Sequence, residues 1–459
     1  MIYYNFFYFP INQLIFFFSF RLHLCAQIYK LLSVRMDLVR SLVGIFCLLL
    51  LLWLASSNRK AVSFRLVLSG LALQICFALL LLKAPFITDL IKSVSQGVVR
   101  LTEFSYQGAT FVFGSLASDA TTYGTVVAFR VLPSILFFSA LSALLYHWGI
   151  LQRVVYLLAW VMKRTMKISG PECLAMSANV FVGQTEAPLL VRPYLDKMSR
   201  SEILCLMTGG FATIAGGVFA AYVAFLGGTD PESQTLFAKH LLTASLMSAP
   251  AAIVCSKILL PETNFRKEEI DLSNESSTVN VFDALTTGTS QGLLLAFNVG
   301  AILIVFTGLV ALGNFIFADL LIKPLGVDGW LGLQEGTISL EYLFGWVFAP
   351  IAWLMGVSSD DIHLVGQLLG EKLVLNEFVA YAHLGEFKEM GAIQEERSII
   401  LASYALCGFA NFASVGIQIS GIAILAPSQR ENLTQLGWRA LLGGTFACLL
   451  TATVVGLVI

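Results

Sequence analysis

Charge is what this 459-residue chain has least of: Asp, Glu, Lys and Arg make up 12% of it, whereas 57% is hydrophobic. Soluble domains carry about 25% charged residues, so the composition excludes a water-exposed globule and leaves an integral membrane protein. A formal net charge of −1, with no long basic or acidic block, gives nucleic acid or any other highly charged partner nothing to bind. The eight cysteines stand singly in apolar runs, as at Cys47, Cys76, Cys205 and Cys407. They form neither CxxC pairs nor the histidine spacing of a zinc site, and read as small buried hydrophobes. Missing too are HExxH and the P-loop pattern GxxxxGK followed by Ser or Thr, the parts of a zinc protease and an ATP-driven pump. An enzyme is not expected. DDIH (360–363) sets one histidine beside two acids, which an aqueous loop explains as well as a metal does. His240 and His383 stand isolated in apolar surroundings and read as structural.

What is present is a succession of apolar runs. A spanning helix needs about 20 mostly apolar residues, and the runs allow about eight transmembrane helices in an all-α, polytopic fold. A first span, Leu38 to Ala55, is closed by Asn58, Arg59 and Lys60, and a second covers about 64 to 82. Residues 88 to 116 carry Lys92, Arg100 and Glu103 at helical spacing and suit an interfacial helix. A span at about 125 to 147 precedes a second interfacial helix, 151 to 167, with Arg153, Lys163, Arg164 and Lys167. Further spans are expected at about 236 to 260, 290 to 320, 397 to 426 and 436 to 459, with apolar segments at about 339 to 356 and 362 to 385. Placing Asn58–Lys60 inside also puts Lys163/Arg164, Lys257/Arg266/Lys267 and Arg430 inside, as the positive-inside rule requires. The stretch MIYYNFFYFPINQLIFFFSF breaks that rule, because spanning would leave Arg21, His23, Lys30 and Arg35 outside. Residues 1–35 are therefore expected to be a non-native or disordered extension ahead of Met36, the alternative being a loosely held extra helix.

Two segments repeat: GGFATIAGGV (209–218) and CGFANFASVG (407–416). Each carries Gly-Phe-Ala and then a polar residue, Thr213 or Asn411, amid an apolar span. Each also follows an interrupted segment with a lone acid, Glu186 or Glu377. The crossings between them start the second copy on the opposite face, which predicts an inverted repeat with two re-entrant hairpins and two broken helices, the architecture of a transporter site near the bilayer midplane.

A carboxylate in the membrane costs several kcal/mol unless it faces protein, water or a partner. Structural pairing with a buried cation would satisfy Glu186 and Glu377, but the cores of their segments show no Arg or Lys, and recurrence in both repeats favours function. Two carboxylate oxygens accept from two adjacent hydroxyls, so a vicinal diol such as ribose is a natural guest. Gln184 and Asn411 can both donate and accept, as the mixed edge of a nucleobase or amide requires, and Thr185 and Ser414 adapt to either role. Phe409 offers an apolar wall or simple packing. Asn179, Thr213 and carbonyls freed at the breaks either ligate Na⁺ or satisfy the broken backbone; spacing does not choose between them.

NVFVGQTEAPLLVRPYL, TGGFATIAGGV, LNEFVAY and CGFANFASVGIQISGIAIL, in that order, resemble the concentrative nucleoside transporter family from about Met36 to the C-terminus. The resemblance implies a homotrimer in which a scaffold (36–83, 125–150, 288–322) carries a mobile transport part (88–120, 151–260, 339–459), and the short length counted from Met36 leads us to expect a multi-pass protein of the plasma membrane, a bacterial inner membrane. It implies that Gln184, Thr185, Glu186 and Val218 contact the base and that Glu377, Asn411 and Ser414, with Phe409 nearby, hold the ribose. For the coupling ion it implies the Asn179 and Thr213 side chains with the Val182 and Ile214 carbonyls. Thr213 and the GQTE form are similar to the sodium-coupled type, so Na⁺ symport is expected, with H⁺ coupling or an uncoupled channel as alternatives. Gly217 stands where many members have Ser, which leaves the preferred base open.

Overall fold

The computed structural model describes residues 38–118, 127–228, 230–263, 278–325 and 338–459. The expected extension 1–35 and most of the polar loop 261–280 lie outside the described residues.

All regular structure among the described residues is helical. Five helical segments are long and apolar enough to cross a membrane: Phe64–Leu82, Arg200–Gly227, Pro231–Leu259, Val281–Ile322 and Pro427–Gly456. Among the described residues Leu38–Leu54, Leu340–Leu354 and Phe412–Leu425 are shorter apolar helices, and Val131–His147 reaches the length of a span only together with Ile150–Met166. Pro85–Phe113 forms the first amphipathic helix and Ile150–Met166 the second, bent 76° away from the span before it.

The two hairpins have different arms. The first runs through Gly170–Asn179, turns over residues 180–186, and returns by the single-turn helices Ala187–Leu190 and Arg192–Leu195. Pro188 and Pro193 keep the return from forming one continuous helix. The second is a simple pair, Ile362–Val374 and Glu377–Glu389, with Leu375 and Asn376 at its tip. Capping boxes fix where helices start at the base of the first hairpin: Ser169 with Glu172, and Ser199 with Glu202.

The inversion is visible along one helix, Pro231–Leu259. Near its C-terminal end Lys257 is ion-paired to Glu172 at the base of the first hairpin. Near its N-terminal end Ser233 accepts a hydrogen bond of 2.8 Å from Lys388 at the far end of the second. At a rise of 1.5 Å per residue those positions are roughly 36 Å apart, so the hairpins enter the fold from opposite sides.

Both broken helices are interrupted inside the protein. The first passes from Arg200–Ala212 through extended Thr213 (φ −117°, ψ 164°) to Gly216–Gly227. The second passes from Glu396–Leu406 through residues 407–411 to Phe412–Leu425. The breaks touch: Gly408 has φ +142°, and a Cβ there would stand 2.6 Å from the Phe211 carbonyl oxygen. Only glycine combines that backbone angle with that approach. Between them sits Cys448, whose thiol donates to the Cys407 carbonyl at 3.0 Å and reaches the Ala212 carbonyl at 3.7 Å. It thus engages one carbonyl at each break. Cys173, Cys205, Cys255, Cys407 and Cys448 are buried as expected, but Cys76 is exposed.

Candidate functional site

The tip of the first hairpin is folded against the first break. Gly216 N–H donates to the Phe181 carbonyl at 2.9 Å, crossing from helix to hairpin. Gly183 turns the tip with φ +94°, and a Cβ there would stand 2.6 Å from Ala215 Cβ. Asn179, at the end of the first arm, is buried, and neither its amide nitrogen nor its amide oxygen meets a hydrogen-bond partner. An unmet buried amide costs on the order of 1–3 kcal/mol, so this group fits a ligand rather than a packing role. Thr213 is fully buried and donates its hydroxyl proton to the Gly209 carbonyl at 2.9 Å, which leaves the oxygen lone pairs pointing elsewhere. No described backbone N–H donates to the Val182 or Ile214 carbonyl. One amide oxygen, one hydroxyl oxygen and two carbonyls of this kind are the hard donors that suit Na⁺. Among the described residues there is no cluster of three or more His, Cys, Asp or Glu that could hold a metal. Asp361 of DDIH instead accepts from the backbone N–H groups of Gln394 and Glu395, and His363 packs on Tyr342 and Trp346.

The second hairpin is built around its own acid. Asn376 caps the returning arm by accepting from Val379 N–H at 3.0 Å, which places Glu377 at the first helical position with its side chain buried. Glu377 accepts from the Asn411 amide at 2.8 Å and from the Tyr222 hydroxyl at 3.2 Å, one on each carboxylate oxygen. A carboxylate offers about four lone-pair sites, so about two remain for further donors. Asn411 also accepts from Ser414 N–H at 2.8 Å and so starts the helix after the second break. Tyr222, on the second segment of the first broken helix, stacks on Tyr381 and meets Phe378 edge-on.

The hairpins meet on one helix, Phe412–Leu425. The second reaches its N-terminus through Glu377 and Asn411. The first reaches Gln418, whose amide donates to Gln184 at 3.1 Å. Asn411, Ser414 and Gln418 are all buried along one side of this helix. Thr185 is exposed and lies alongside Gly421, one turn further on. Glu186 is half-buried and takes no hydrogen bond or ion pair from any described residue. Val218 is fully buried one turn before Tyr222, and Phe409 is buried at the second break.

Several participants were not expected from sequence. Tyr222 and Gln418 read as ordinary members of apolar helices. Lys372 corrects the expectation that no cation lies in the hairpin cores: it is buried in the first arm of the second hairpin and donates to the Ala405 carbonyl at 2.9 Å, just before the second break. His383 is not isolated either, since its Nδ1 lies 2.8 Å from Glu371 Oε2. His240 keeps its structural role, with Nδ1 3.1 Å from the Tyr404 hydroxyl.

Comparison with known proteins gives this arrangement a context. Three family models match in chain order: Na⁺ dependent nucleoside transporter N-terminus over residues 43–116, nucleoside recognition over 128–229, and Na⁺ dependent nucleoside transporter C-terminus over 240–456. An uncharacterized transporter of Haemophilus influenzae is 38% identical, over 92% of this chain and 98% of its own length. The sodium/nucleoside cotransporter 1 of Mus musculus is 37% identical over 92% of this chain, which spans 64% of that longer protein. The solved structure of CNTnw in an inward-facing substrate-bound state superposes with a TM-score of 0.82 at 35% identity, covering 92% of this chain and 97% of that one. Family models along nearly the whole described chain, relatives well above 30% identity and a shared backbone of paired hairpins and broken helices agree: this protein is a multi-pass nucleoside transporter, not an enzyme, and belongs to the concentrative nucleoside transporter family.

Proposed function

We propose that this chain imports nucleosides by symport with Na⁺, the ion seated by Asn179, Thr213 and the Val182 and Ile214 carbonyls. The observation that carries the reading is the Asn179 amide, buried with both its polar atoms unmet beside a helix break where the Ile214 carbonyl takes no backbone N–H. Such oxygens replace the water shell of Na⁺, and the ion would hold the hairpin tip on the break. The nucleoside then binds along the Phe412–Leu425 helix. Its ribose hydroxyls donate to Glu377, flanked by Asn411 and Ser414 with Phe409 alongside, and its base faces Gln184, Thr185, Glu186 and Val218. The family model's Na⁺ dependence and the mouse relative's name favour the same ion. Coupling follows from linkage: if Na⁺ raises nucleoside affinity, nucleoside raises Na⁺ affinity by the same factor.

The same reading includes a homotrimer whose scaffold (36–83, 125–150, 288–322) holds still while the transport part (88–120, 151–260, 339–459) moves across the membrane. Relatives matched along nearly their whole length are bacterial, which supports a bacterial cell membrane. Uridine uptake into vesicles decides the ion. An inward Na⁺ gradient should drive accumulation above equilibrium and an H⁺ gradient alone should not. Accumulation with H⁺ only would make this a proton symporter, and equilibration with either would mean uncoupled passage, as through a channel.

A further inference from the structure

Gln418 is a buried amide that no part of the transport reading uses. Its side-chain nitrogen has two partners, Gln184 Oε1 and the Met207 carbonyl oxygen, each at 3.1 Å. The second partner fixes the direction of the first. A backbone carbonyl can only accept, so the atom of Gln418 that faces Met207 must be the donor NH₂. The same NH₂ faces Gln184, so the atom Gln184 turns toward it must be its carbonyl oxygen. Rotating the Gln418 amide would set its oxygen against the Met207 carbonyl, two acceptors in a buried place. The Gln184 amide is then held with its own NH₂ on the opposite side, where no described residue accepts from it. Gly210 makes the slot possible: a methyl group there would collide with Gln418 Nε2 and stand 2.8 Å from Gln184 Cβ.

We infer that Gln418 is a positioning residue that locks Gln184 as a hydrogen-bond donor toward the nucleoside, biasing the site toward bases that present a ring carbonyl over those that present an amino group there. The inference rests on the reading that Gln184 faces the base. Gln418 touches no substrate; it acts by choosing which end of the neighbouring amide the substrate meets.

Two substrate pairs report on this, uridine against cytidine and inosine against adenosine, because each swaps one ring carbonyl for an amino group, the neighbouring ring N–H becoming a bare nitrogen in both pairs alike. Uptake of all four is measured as kcat/KM in vesicles containing the full-length transporter, with competition binding in detergent as a second readout. In Q418M the Gln184 amide is free to rotate, and the carbonyl-over-amino ratio should fall about fivefold, the worth of one net hydrogen bond. Q418L likewise removes the donor that holds the Gln184 oxygen, so the ratio should fall by a similar factor. A general loss of packing would lower all four substrates together and leave the ratios alone, which would overturn the inference. Ratios unchanged within about twofold in both variants would overturn it too. Q184M separates the two levels. If it moves the ratios and the Gln418 variants do not, only the positioning role fails. If it moves neither ratio nor affinity, the assignment of Gln184 to the base has failed first.

Discussion

Asn411 and Glu377 are separated by 34 residues, yet the amide of one donates to the carboxylate of the other at 2.8 Å, tying the second broken helix to the tip of the second hairpin. The acid is thereby aimed without being used up: Asn411 takes one oxygen, Tyr222 the other, and lone pairs remain on both. Glu377→Gln turns one of those oxygens into a donor facing other donors. Hydrogen bonds to a charged group are worth about 1.5–3 kcal/mol each, so losing two should weaken nucleoside binding by at least about 100-fold. Tyr222→Phe removes one orienting bond and should cost about 1 kcal/mol, roughly fivefold. Equilibrium binding of uridine measures both; wild-type affinity in Glu377→Gln would remove this carboxylate from the site.

The ion assignment predicts a different signature. Asn179→Leu and Thr213→Val each delete one hard oxygen while filling the same space. Either should raise the Na⁺ concentration at half-maximal uptake by about tenfold or more, a loss of roughly 1.4 kcal/mol. Nucleoside affinity should fall at low Na⁺ and recover at saturating Na⁺, because the two sites are linked. An unchanged Na⁺ dependence in both variants would return Asn179 and Thr213 to a purely structural role.

How much of this was legible in the sequence depended on the kind of signal. The broken helices announced themselves because Gly, Thr and Asn interrupt apolar runs where no helix would spend them, and Glu186 and Glu377 stood out because acids in membrane segments need a reason. Tyr222 and Gln418 gave no such sign. Each sits in a largely apolar helix, and its importance comes from a partner 155 or 234 residues away. Lys372 and Cys448 escaped for the same reason: their roles are to satisfy carbonyls at breaks whose position in space no spacing rule supplies. His383 looked isolated because Glu371 lies on the opposite arm of the hairpin.

The approach of hairpin to helix at Gly183 predicts a defect without any change of polar chemistry. A methyl group there would meet Ala215 Cβ at 2.6 Å on a residue whose φ is +94°. Strain of that kind costs of order 1–3 kcal/mol, and the tip relieves it by lifting from the break. Gly183→Ala should therefore lower Na⁺ affinity while every proposed ligand is still present. Apparent Na⁺ affinity that matches wild type would mean the tip need not touch Ala215 for the ion to bind.

Beneath the first hairpin, Lys257 is buried between Glu172, to which it is ion-paired, Glu262 at 3.7 Å and the Ser201 hydroxyl at 2.9 Å. Ser199 donates to Glu262 at 2.6 Å, so the group joins the hairpin, the first broken helix and the end of Pro231–Leu259. Removing one member of a buried pair leaves the other charge uncompensated, at about 3–5 kcal/mol, whereas replacing both by apolar groups is often neutral. Lys257→Met should accordingly lower the thermal unfolding midpoint of the purified transporter sharply, and adding Glu172→Met should restore part of the loss. The double variant is the informative one. If it is as unstable as the single, the lysine matters through Glu262 and Ser201 rather than through Glu172. If stability returns while Na⁺ affinity stays low, the cluster's contribution is to hold the hairpin base in register with the break, a geometric role that stability alone would not reveal.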